Sequence, residues 1–421
     1  MTRLPERPAS SPVDMMSAGS AENLRLLGQH DLAGNGMVGE GLSVQRTNDG
    51  RRILWVAHEC APVDFSGLDV TDPRAMRLVS QTMLPHAEMR SNSLDVVGDV
   101  LVVAYQTARK GMQPAGFGIY DVAVPEAPRK IGFFDCSGPH SRGVHQLWFV
   151  DGRTVHMSAG SADFEPQDTR DDQFYRAVDI SDPTRPREVS RWWLPGTRKG
   201  DSAPPPRIAE ATPSRFCRVH NTNVYPQRPD RAYLGYLDAG AILLDLADPA
   251  QPRPIARWDN SPPMIGFTHT VLPLFGRDLW VVTDETIVDG ATDWPKLVWI
   301  LDARSEQHPL PISTLPIPPP AMFSMLGGRY GAHNIHENQP TPCSLVSETL
   351  VFGTYFRGGL RVHDISDAFR PVEIAHFVPP PDPRTRVRPQ INDVFVDDRG
   401  VIFAADRVGG GIFALELERQ P

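Results

Sequence analysis

Several features that would place a chain in a functional class at once are missing from this sequence. No stretch approaches the ~20 consecutive apolar residues that a membrane-spanning helix needs, and residues 1–20 contain no apolar core of a signal peptide. The four cysteines are far apart and form no CxxC pair, so we expect them to be reduced and structural. The net charge of -9 leaves no basic excess for nucleic acid or an anionic membrane. We therefore expect a cytoplasmic protein without nucleic-acid or membrane partners.

Common catalytic and nucleotide-binding motifs are also absent. The glycine clusters at residues 327–328 and 409–411 are not followed by a helix with a Lys-Ser or Lys-Thr pair, which a phosphate-binding loop requires. No GxSxG segment occurs, and long helical periodicity is missing throughout. An all-β fold remains.

One pattern recurs along the chain: a strand-like stretch ending in Asp, a short turn rich in Asp and Pro, and a second strand-like stretch. Six copies are visible, at residues 67–84, 118–135, 176–194, 242–259, 299–315 and 361–378. Two further strand-like runs precede each copy, for example LDVVGDVLVVAY at residues 94–105. Units of four antiparallel strands repeating every 50 to 75 residues or so indicate the blades of a β-propeller.

The two ends of the chain complete the count of blades. The last unit, at residues 391–417, has only three strands, and the segment Leu24 to His30 has the pattern of the missing outer strand. We predict that this segment pairs with the strand near Ile412 to Leu417, which closes the ring and removes a free sheet edge. The prediction is a seven-bladed propeller over residues 22–421, preceded by a flexible tail at residues 1–21.

The DVTDP, DISDP and DLADP segments of these copies resemble those of the LVIVD-repeat proteins. The resemblance covers nearly the whole chain from about residue 22 and implies the propeller fold. It implies little about activity, because propellers support many unrelated functions.

Alignment of the innermost strand of each unit brings one polar residue of every unit to the same position. The seven segments are EGL, NSL, HQL, HNT, HTV, HNI and NDV, and their first residues are Glu40, Asn92, His145, His220, His269, His333 and Asn392. Innermost strands line the channel of a propeller, so these side chains are predicted to face one axis at one height. We call these seven positions the channel ring.

Four adjacent units contribute a histidine to the channel ring. A single one of the 13 histidines would more often be a packing or surface residue, but four on equivalent positions predict a metal site. Four imidazole nitrogens suit one transition-metal ion, with iron preferred over copper, manganese or zinc. His336 is an alternative ligand to His333, although it points to the opposite face if the strand begins at His333. Glu40, Asn92 and Asn392 are the catalytic candidates, and the asparagines could equally bridge channel waters.

Loops that follow the second strand of each unit should form an outer shell around the channel ring. Carboxylates there could accept a hydrogen bond from a ligating histidine, or they could be ordinary solvated loop residues. The candidates for this shell or for substrate contacts are His58, Glu59, Tyr105, Asp238, Asp284, Glu285, His336, Glu337, Tyr355, Asp406 and Arg407. Two long polar inserts, at residues 160–175 and 194–216, are predicted to cap the channel mouth.

Three hypotheses about function follow from this site. Carotenoid cleavage oxygenases and the selenium-binding or methanethiol oxidase group also hold a histidine-ligated metal in a seven-bladed propeller, and the inferred site is similar to theirs. That analogy implies an oxidoreductase or oxygenase acting on a small organic substrate. The alternative is a metal-dependent hydrolase or lyase, such as a lactonase or dehydratase, with Glu40 as general base. The third is a propeller scaffold without enzymatic activity.

Overall fold

The computed structural model describes residues 19–206, 216–261, 264–317, 327–383, 385 and 387–418. Seven small antiparallel sheets form a seven-bladed β-propeller, as predicted. Within the described residues the helical content is one 3-10 turn, Leu32–Gly34. Of the predicted tail, residues 1–18 lie outside the described part, whereas Ser20–Glu22 forms a strand, so strand structure begins before residue 22.

Blades 1 to 3 follow one another along the chain. Blade 1 contains β3 (Val38–Arg46), β4 (Arg52–His58), β5 (Val63–Asp69) and β6 (Arg77–Met83). Blade 2 contains β7 (Met89–Arg90), β8 (Leu94–Val97), β9 (Val100–Thr107), β10 (Gly116–Asp121) and β11 (Arg129–Asp135). Its innermost strand is divided into β7 and β8 at Asn92, which has a positive φ of 40°. Blade 3 contains β12 (Val144–Trp148), β13 (Thr154–Ala159), β14 (Phe174–Asp179) and β15 (Arg187–Trp192).

The remaining blades use the rest of the chain and both of its ends. Blade 4 contains β16 (Thr222–Tyr225), β17 (Arg228–Gly235), β18 (Ala241–Asp245) and β19 (Arg253–Trp258). Blade 5 contains β20 (Thr268–Leu274), β21 (Leu279–Asp284), β22 (Val298–Asp302) and β23 (Leu310–Thr314). Blade 6 contains β24 (Leu350–Thr354), β25 (Leu360–Asp364) and β26 (Val372–Val378), with β1 (Ser20–Glu22) paired to β26. Blade 7 contains β27 (Ile391–Val396), β28 (Val401–Asp406), β29 (Gly411–Leu417) and β2 (Leu24–His30).

The repeated aspartate explains why each copy of the pattern turns where it does. In all six copies the Asp that ends the third strand accepts a hydrogen bond from the backbone N–H two residues later, at 2.7–3.1 Å. This side chain reproduces the bond of a backbone turn and so fixes the reversal into the outer strand. The turn chemistry visible in the sequence therefore produces half of each blade.

The N-terminal strand closes the ring as predicted. β2 pairs antiparallel with β29, with Leu24 opposite Leu417 and His30 opposite Ile412. Leu24 is buried and belongs to the apolar cluster between blades 6 and 7. The chain thus covers β29 with its own beginning, and blade 7 gains the fourth, outer strand that the other blades have.

The innermost position of blade 6 departs from a regular strand. The segment around His333 to His336 contacts β24 through one bridge, Ile335 with Gly353, and a few backbone hydrogen bonds. His333 N–H donates to the Thr354 carbonyl at 3.0 Å and His336 N–H to the Phe352 carbonyl at 2.9 Å. These bonds hold the segment against the blade, so His333 occupies the inner position although no strand forms.

Candidate metal centre

The structure brings the four histidines of the channel ring into contact. Neighbouring rings follow one another around the channel in the order of their blades. Ring centroids are 4.4 Å apart for His145 and His220, 3.7 Å for His220 and His269, and 4.6 Å for His269 and His333. All four side chains are buried. The equivalent positions of four blades therefore form one cluster.

The Nδ1 atom of each histidine is occupied by a hydrogen-bond partner on the outer side of the cluster. His145 Nδ1 lies 3.1 Å from Gln106 Oε1, and His220 Nδ1 lies 2.8 Å from Asn221 Oδ1. His269 Nδ1 lies 2.9 Å from Thr270 Oγ1, and His333 Nδ1 donates to the Asn392 carbonyl at 2.7 Å. A carbonyl oxygen only accepts, so His333 carries its proton on Nδ1. The same tautomer fits the other three and leaves each Nε2 with a free lone pair.

Two of the Nε2 atoms lie in direct contact. His145 Nε2 lies 2.7 Å from His220 Nε2. Two lone pairs at that separation repel each other unless a cation or a proton lies between them. Two nitrogens bound at ~2.1 Å to adjacent positions of one ion would be about 3 Å apart, close to the separation seen here. The geometry is that of ligands that share an ion.

Glu40 lies at the centre of this cluster. Its Oε2 is 3.6 Å from His220 Nε2 and 3.7 Å from His269 Nε2, and its Oε1 is 3.6 Å from His333 Nε2. Burial is the largest single influence on the pKa of Glu40 and raises it, but the combined interactions with His269, His333 and His220 hold that pKa well below the usual value. The carboxylate of Glu40 is therefore positioned as a fifth ligand.

A second carboxylate reaches the same cluster. Glu285 Oε1 lies 3.7 Å from His333 Nε2 and accepts a hydrogen bond from Arg329 Nη1 at 2.9 Å. Three groups of side chains here could each hold an ion, since their ligand atoms lie within 4.8 Å of one another. These groups are Glu40 with His145 and His220, Glu40 with His269 and His333, and Glu285 with His220 and His269.

The titration behaviour of the histidines suits metal ligation. Burial is the largest cause that lowers the pKa of His145, His220 and His269, and it places the pKa of His220 at about 4. These imidazoles are therefore neutral at pH 7, which is the form that binds a metal.

Several buried polar atoms of the cluster lack any partner. Glu40 Oε2, His269 Nε2 and His333 Nε2 are inaccessible to solvent and make no hydrogen bond. Unsatisfied buried polar atoms are costly and rare in folded proteins. The ligand atoms of Glu40, His269 and His333 lie within 4.8 Å of one another, and a cation shared by them would satisfy these atoms, so the residues present fit a metal ion.

Asn92 and Asn392 hold neighbouring blades together at the same level. Asn92 Nδ2 donates to the His145 carbonyl at 3.3 Å, and Asn392 Nδ2 donates to the Gly39 carbonyl at 3.1 Å. The Oδ1 atom of each asparagine is buried without a partner. Their amide groups thus position the channel ring, and their oxygens remain available.

Other predicted shell residues also reach the cluster. Glu59 accepts hydrogen bonds from Arg90 at 2.7 Å and Arg407 at 2.8 Å. Glu337 accepts from Asn221 Nδ2 at 2.6 Å and so supports His220 through one intervening side chain. Burial raises the pKa of Glu337 to about 7.

His336 is not part of the cluster. Its Nε2 donates to the Leu345 carbonyl at 2.7 Å, and its Nδ1 accepts from the Val396 N–H at 3.1 Å. Both ring nitrogens are engaged, so the alternative in which His336 replaces His333 as a ligand lacks geometric support.

The remaining candidates have partners that do not include the clustered histidines. His58 contacts Ser66 at 2.8 Å, and the Tyr105 hydroxyl donates to Asp64 at 2.9 Å. Four others support loops or pack in the core. Asp238 accepts a hydrogen bond from the Phe216 N–H, and Asp284 accepts hydrogen bonds from the side chains of Asn260 and Trp299. Asp406 accepts hydrogen bonds from the backbone N–H groups of Gln390 and Gly410. Tyr355 lies in an apolar cluster. These contacts are those of structural residues.

Sequence reasoning missed the residues that hold the histidines from outside. Asn221 and Thr270 directly follow a ring histidine, so the HN and HT pairs could have indicated them. Arg90 and Arg218 each stand two residues before a channel-ring position, which is a second available signal. Gln106 comes from the neighbouring blade, and nothing in its local sequence indicates the contact with His145.

A cavity adjoins the cluster at Glu40. Its lining includes Glu40, Asp95, Glu337, Gln339 and Asp393. Burial raises the pKa of Asp95 and of Asp393 well above the usual value. This side of the channel is therefore lined by carboxyl groups that are protonated more readily than usual.

Comparisons with known proteins assign no family. No protein-family model matches the chain, and no curated protein sequence matches it significantly. The likeness to LVIVD-repeat proteins therefore stays a resemblance of repeat segments. The fold and the site place the chain in the class of seven-bladed β-propellers with a candidate metal centre of histidine and glutamate. Among the described residues, no helix has the length and apolar character needed to cross a membrane.

Proposed function

We propose that this protein is a metal-dependent oxidoreductase that binds one transition-metal ion through His145, His220, His269 and His333 and acts on a small organic substrate. One observation carries the proposal. Four buried imidazoles from adjacent blades form one cluster, each Nδ1 has a hydrogen-bond partner, and the Nε2 atoms of His145 and His220 lie 2.7 Å apart.

The donor set favours a transition metal over calcium or magnesium. Those hard cations prefer oxygen ligands, whereas imidazole suits iron, copper, zinc and manganese. Iron is the first choice and copper the second, because such ions supply one-electron and dioxygen chemistry when bound. Glu40 adds one negative charge and so lowers the net charge of a bound cation.

The alternative of a hydrolase or lyase assigned Glu40 the role of general base. Glu40 lies 3.6–3.7 Å from the Nε2 atoms of three histidines, a position that suits a ligand of the ion. The identity of the metal separates the two alternatives, because iron or copper supplies redox chemistry and zinc or manganese suits hydrolysis or elimination.

Elemental analysis of protein purified without an affinity tag tests the proposal. We expect close to one iron or copper per chain, lost in His220→Ala and in His269→Ala. His140→Ala serves as control, because His140 has a 37% exposed side chain outside the cluster, and it should keep its metal. Full metal retention in both cluster variants would remove the site. Zinc or manganese instead of iron or copper would contradict the redox assignment.

A further inference from the structure

Cationic side chains gather around one side of the metal centre, although the chain as a whole carries a net charge of -9. Six cations contact only three carboxylates here. The cations are Arg90, Lys110, Arg142, Arg218, Arg329 and Arg407, and the carboxylates are Glu59, Asp172 and Glu285. We call these six residues the cationic rim. None of them is among the described residues that line the cavity beyond Glu40.

Most members of the cationic rim already have a close carboxylate. Arg90 and Arg407 donate to Glu59, Arg329 donates to Glu285, and Arg142 donates to Asp172 at 2.7 Å. Asp172 lies on the first long polar insert, so that insert reaches the rim. Positive charge remains in excess after these pairs are formed.

Arg218 differs from the other members. Among the described residues its guanidinium makes no hydrogen bond, and its Nε is buried without a partner. The nearest carboxylate, Asp172, is 3.5 Å from Nη1 and is already bound by Arg142. The Arg218 side chain is 16% exposed. A nearly buried guanidinium with unused donors is costly unless an anion binds it.

Arg218 also lies beside the histidines. It precedes His220 by two residues, and Arg90, its counterpart in blade 2, places Nη2 3.4 Å from His145 Nδ1. The charges of Arg90 and Arg218 both act on His145, and the charge of Glu285 acts on Arg218. An anion bound by Arg218 would therefore sit next to the cluster.

We propose that Arg218 binds the carboxylate of a small organic acid, which is the substrate class of the metal centre. This inference rests on the proposed function and deepens it. A guanidinium holds a carboxylate through two parallel hydrogen bonds. One guanidinium that makes no hydrogen bond among the described residues, and that shares its nearest carboxylate with Arg142, matches one negative charge, which favours a carboxylate over a phosphate dianion.

Binding of fluorinated probes, followed by fluorine NMR on metal-loaded protein, tests this inference. The probes are difluoroacetate and 4-fluorobenzoate, each compared with its neutral amide. We expect at least one carboxylate to bind wild-type protein and neither amide to bind. Arg218→Gln should weaken carboxylate binding at least tenfold, and Arg218→Lys, which keeps the charge but loses the paired donors, should have an intermediate effect. Arg361→Gln is the control, because Arg361 is a buried arginine on β25 paired with Glu373, and it should bind the probes like wild type.

Three results would overturn the inference: binding of neither carboxylate to wild-type protein, equal affinity in wild type and Arg218→Gln, or tighter binding of inorganic phosphate than of the carboxylates. If Arg218→Gln fails to fold, Arg218→Lys decides. Metal content is measured on every sample. If Arg218→Gln keeps its metal but no longer binds the carboxylates, the inference is supported. If wild-type protein holds no metal and still binds a carboxylate in a way that depends on Arg218, the anion site is upheld and the proposed function is contradicted.

Discussion

Replacing Glu40 by glutamine tests whether a carboxylate belongs to the metal centre. The substitution keeps the size of the side chain and one carbonyl oxygen but removes the negative charge. Glu40 approaches the Nε2 atoms of three histidines at 3.6–3.7 Å. A cation held by those nitrogens would therefore lose one adjacent negative charge.

The size of the effect follows from these distances. Two unit charges ~4 Å apart attract by about 4 kcal/mol at an effective dielectric constant near 20, and a divalent ion doubles that value. The amide oxygen of glutamine still offers a lone pair, and water can replace part of the lost interaction. We therefore expect the binding free energy of the ion to fall by about 3 kcal/mol, which corresponds to a roughly 100-fold weaker affinity.

Competition with a chromophoric chelator at pH 7 measures the affinity. Glu337→Gln is the matched variant, because Glu337 is also buried but acts on His220 only through Asn221. Its pKa of about 7 leaves it partly protonated at the pH of the assay. We expect a loss of no more than about tenfold in this variant. Equal losses in the two variants, or an unchanged affinity in Glu40→Gln, would refute the assignment of Glu40 to the ion.

Three further predictions concern the support of the site, acid stability and ring closure. Asn221→Leu removes the partner of His220 Nδ1 and should weaken metal binding by roughly 10- to 100-fold in the same chelator assay. Asn223→Leu removes a second donor to Glu337 and a donor to the Tyr225 hydroxyl but no partner of a histidine, so it should leave metal binding unchanged. Burial holds the pKa of His58, His156 and His336 at about 4, below the value of about 6.5 in the unfolded chain. The unfolded state therefore binds more protons than the folded state below pH 6.5. Between pH 6 and 5 the free energy of unfolding should fall by about 1 kcal/mol per pH unit for each of these histidines. Urea unfolding that gives the same free energy at pH 7, 6 and 5 would contradict this prediction. Leu24→Ala should cost about 2–5 kcal/mol in urea unfolding because Leu24 is 5% exposed, and Leu26→Ala, at a residue 46% exposed, should stay within about 0.5 kcal/mol of wild type.

The parts of the fold that depend on local interactions could be predicted from the sequence. Asp69 bonds to a backbone N–H only two residues away, so the chemistry of this turn is present in any short segment that contains it. The outer strand at Leu24 to His30 was recognisable because it shares its pattern with the outer strands of other blades. By contrast, β1 has three residues and no pattern, and its pairing with β26 brings together residues from opposite ends of the chain.

The candidate site likewise has a part that the sequence predicts and a part that it does not. Equivalent positions in repeated units predicted which histidines face the channel, because symmetry turns sequence alignment into spatial alignment. The surroundings of those histidines are not symmetric. Gln106 reaches His145 from the preceding blade, and Asp172 approaches Arg218 from a long insert. Such contacts depend on side-chain placement across blade boundaries, which no single repeat contains.

The distribution of the cluster over the chain sets an order of events during synthesis. Glu40 belongs to the first blade and His333 to the sixth, with the other three histidines in blades 3 to 5. A growing polypeptide on the ribosome therefore has the full set of ligands only after five blades and the innermost segment of blade 6 have been made. Loading of an ion by all five side chains must then come late, and a product that terminates before blade 6 would lack His333.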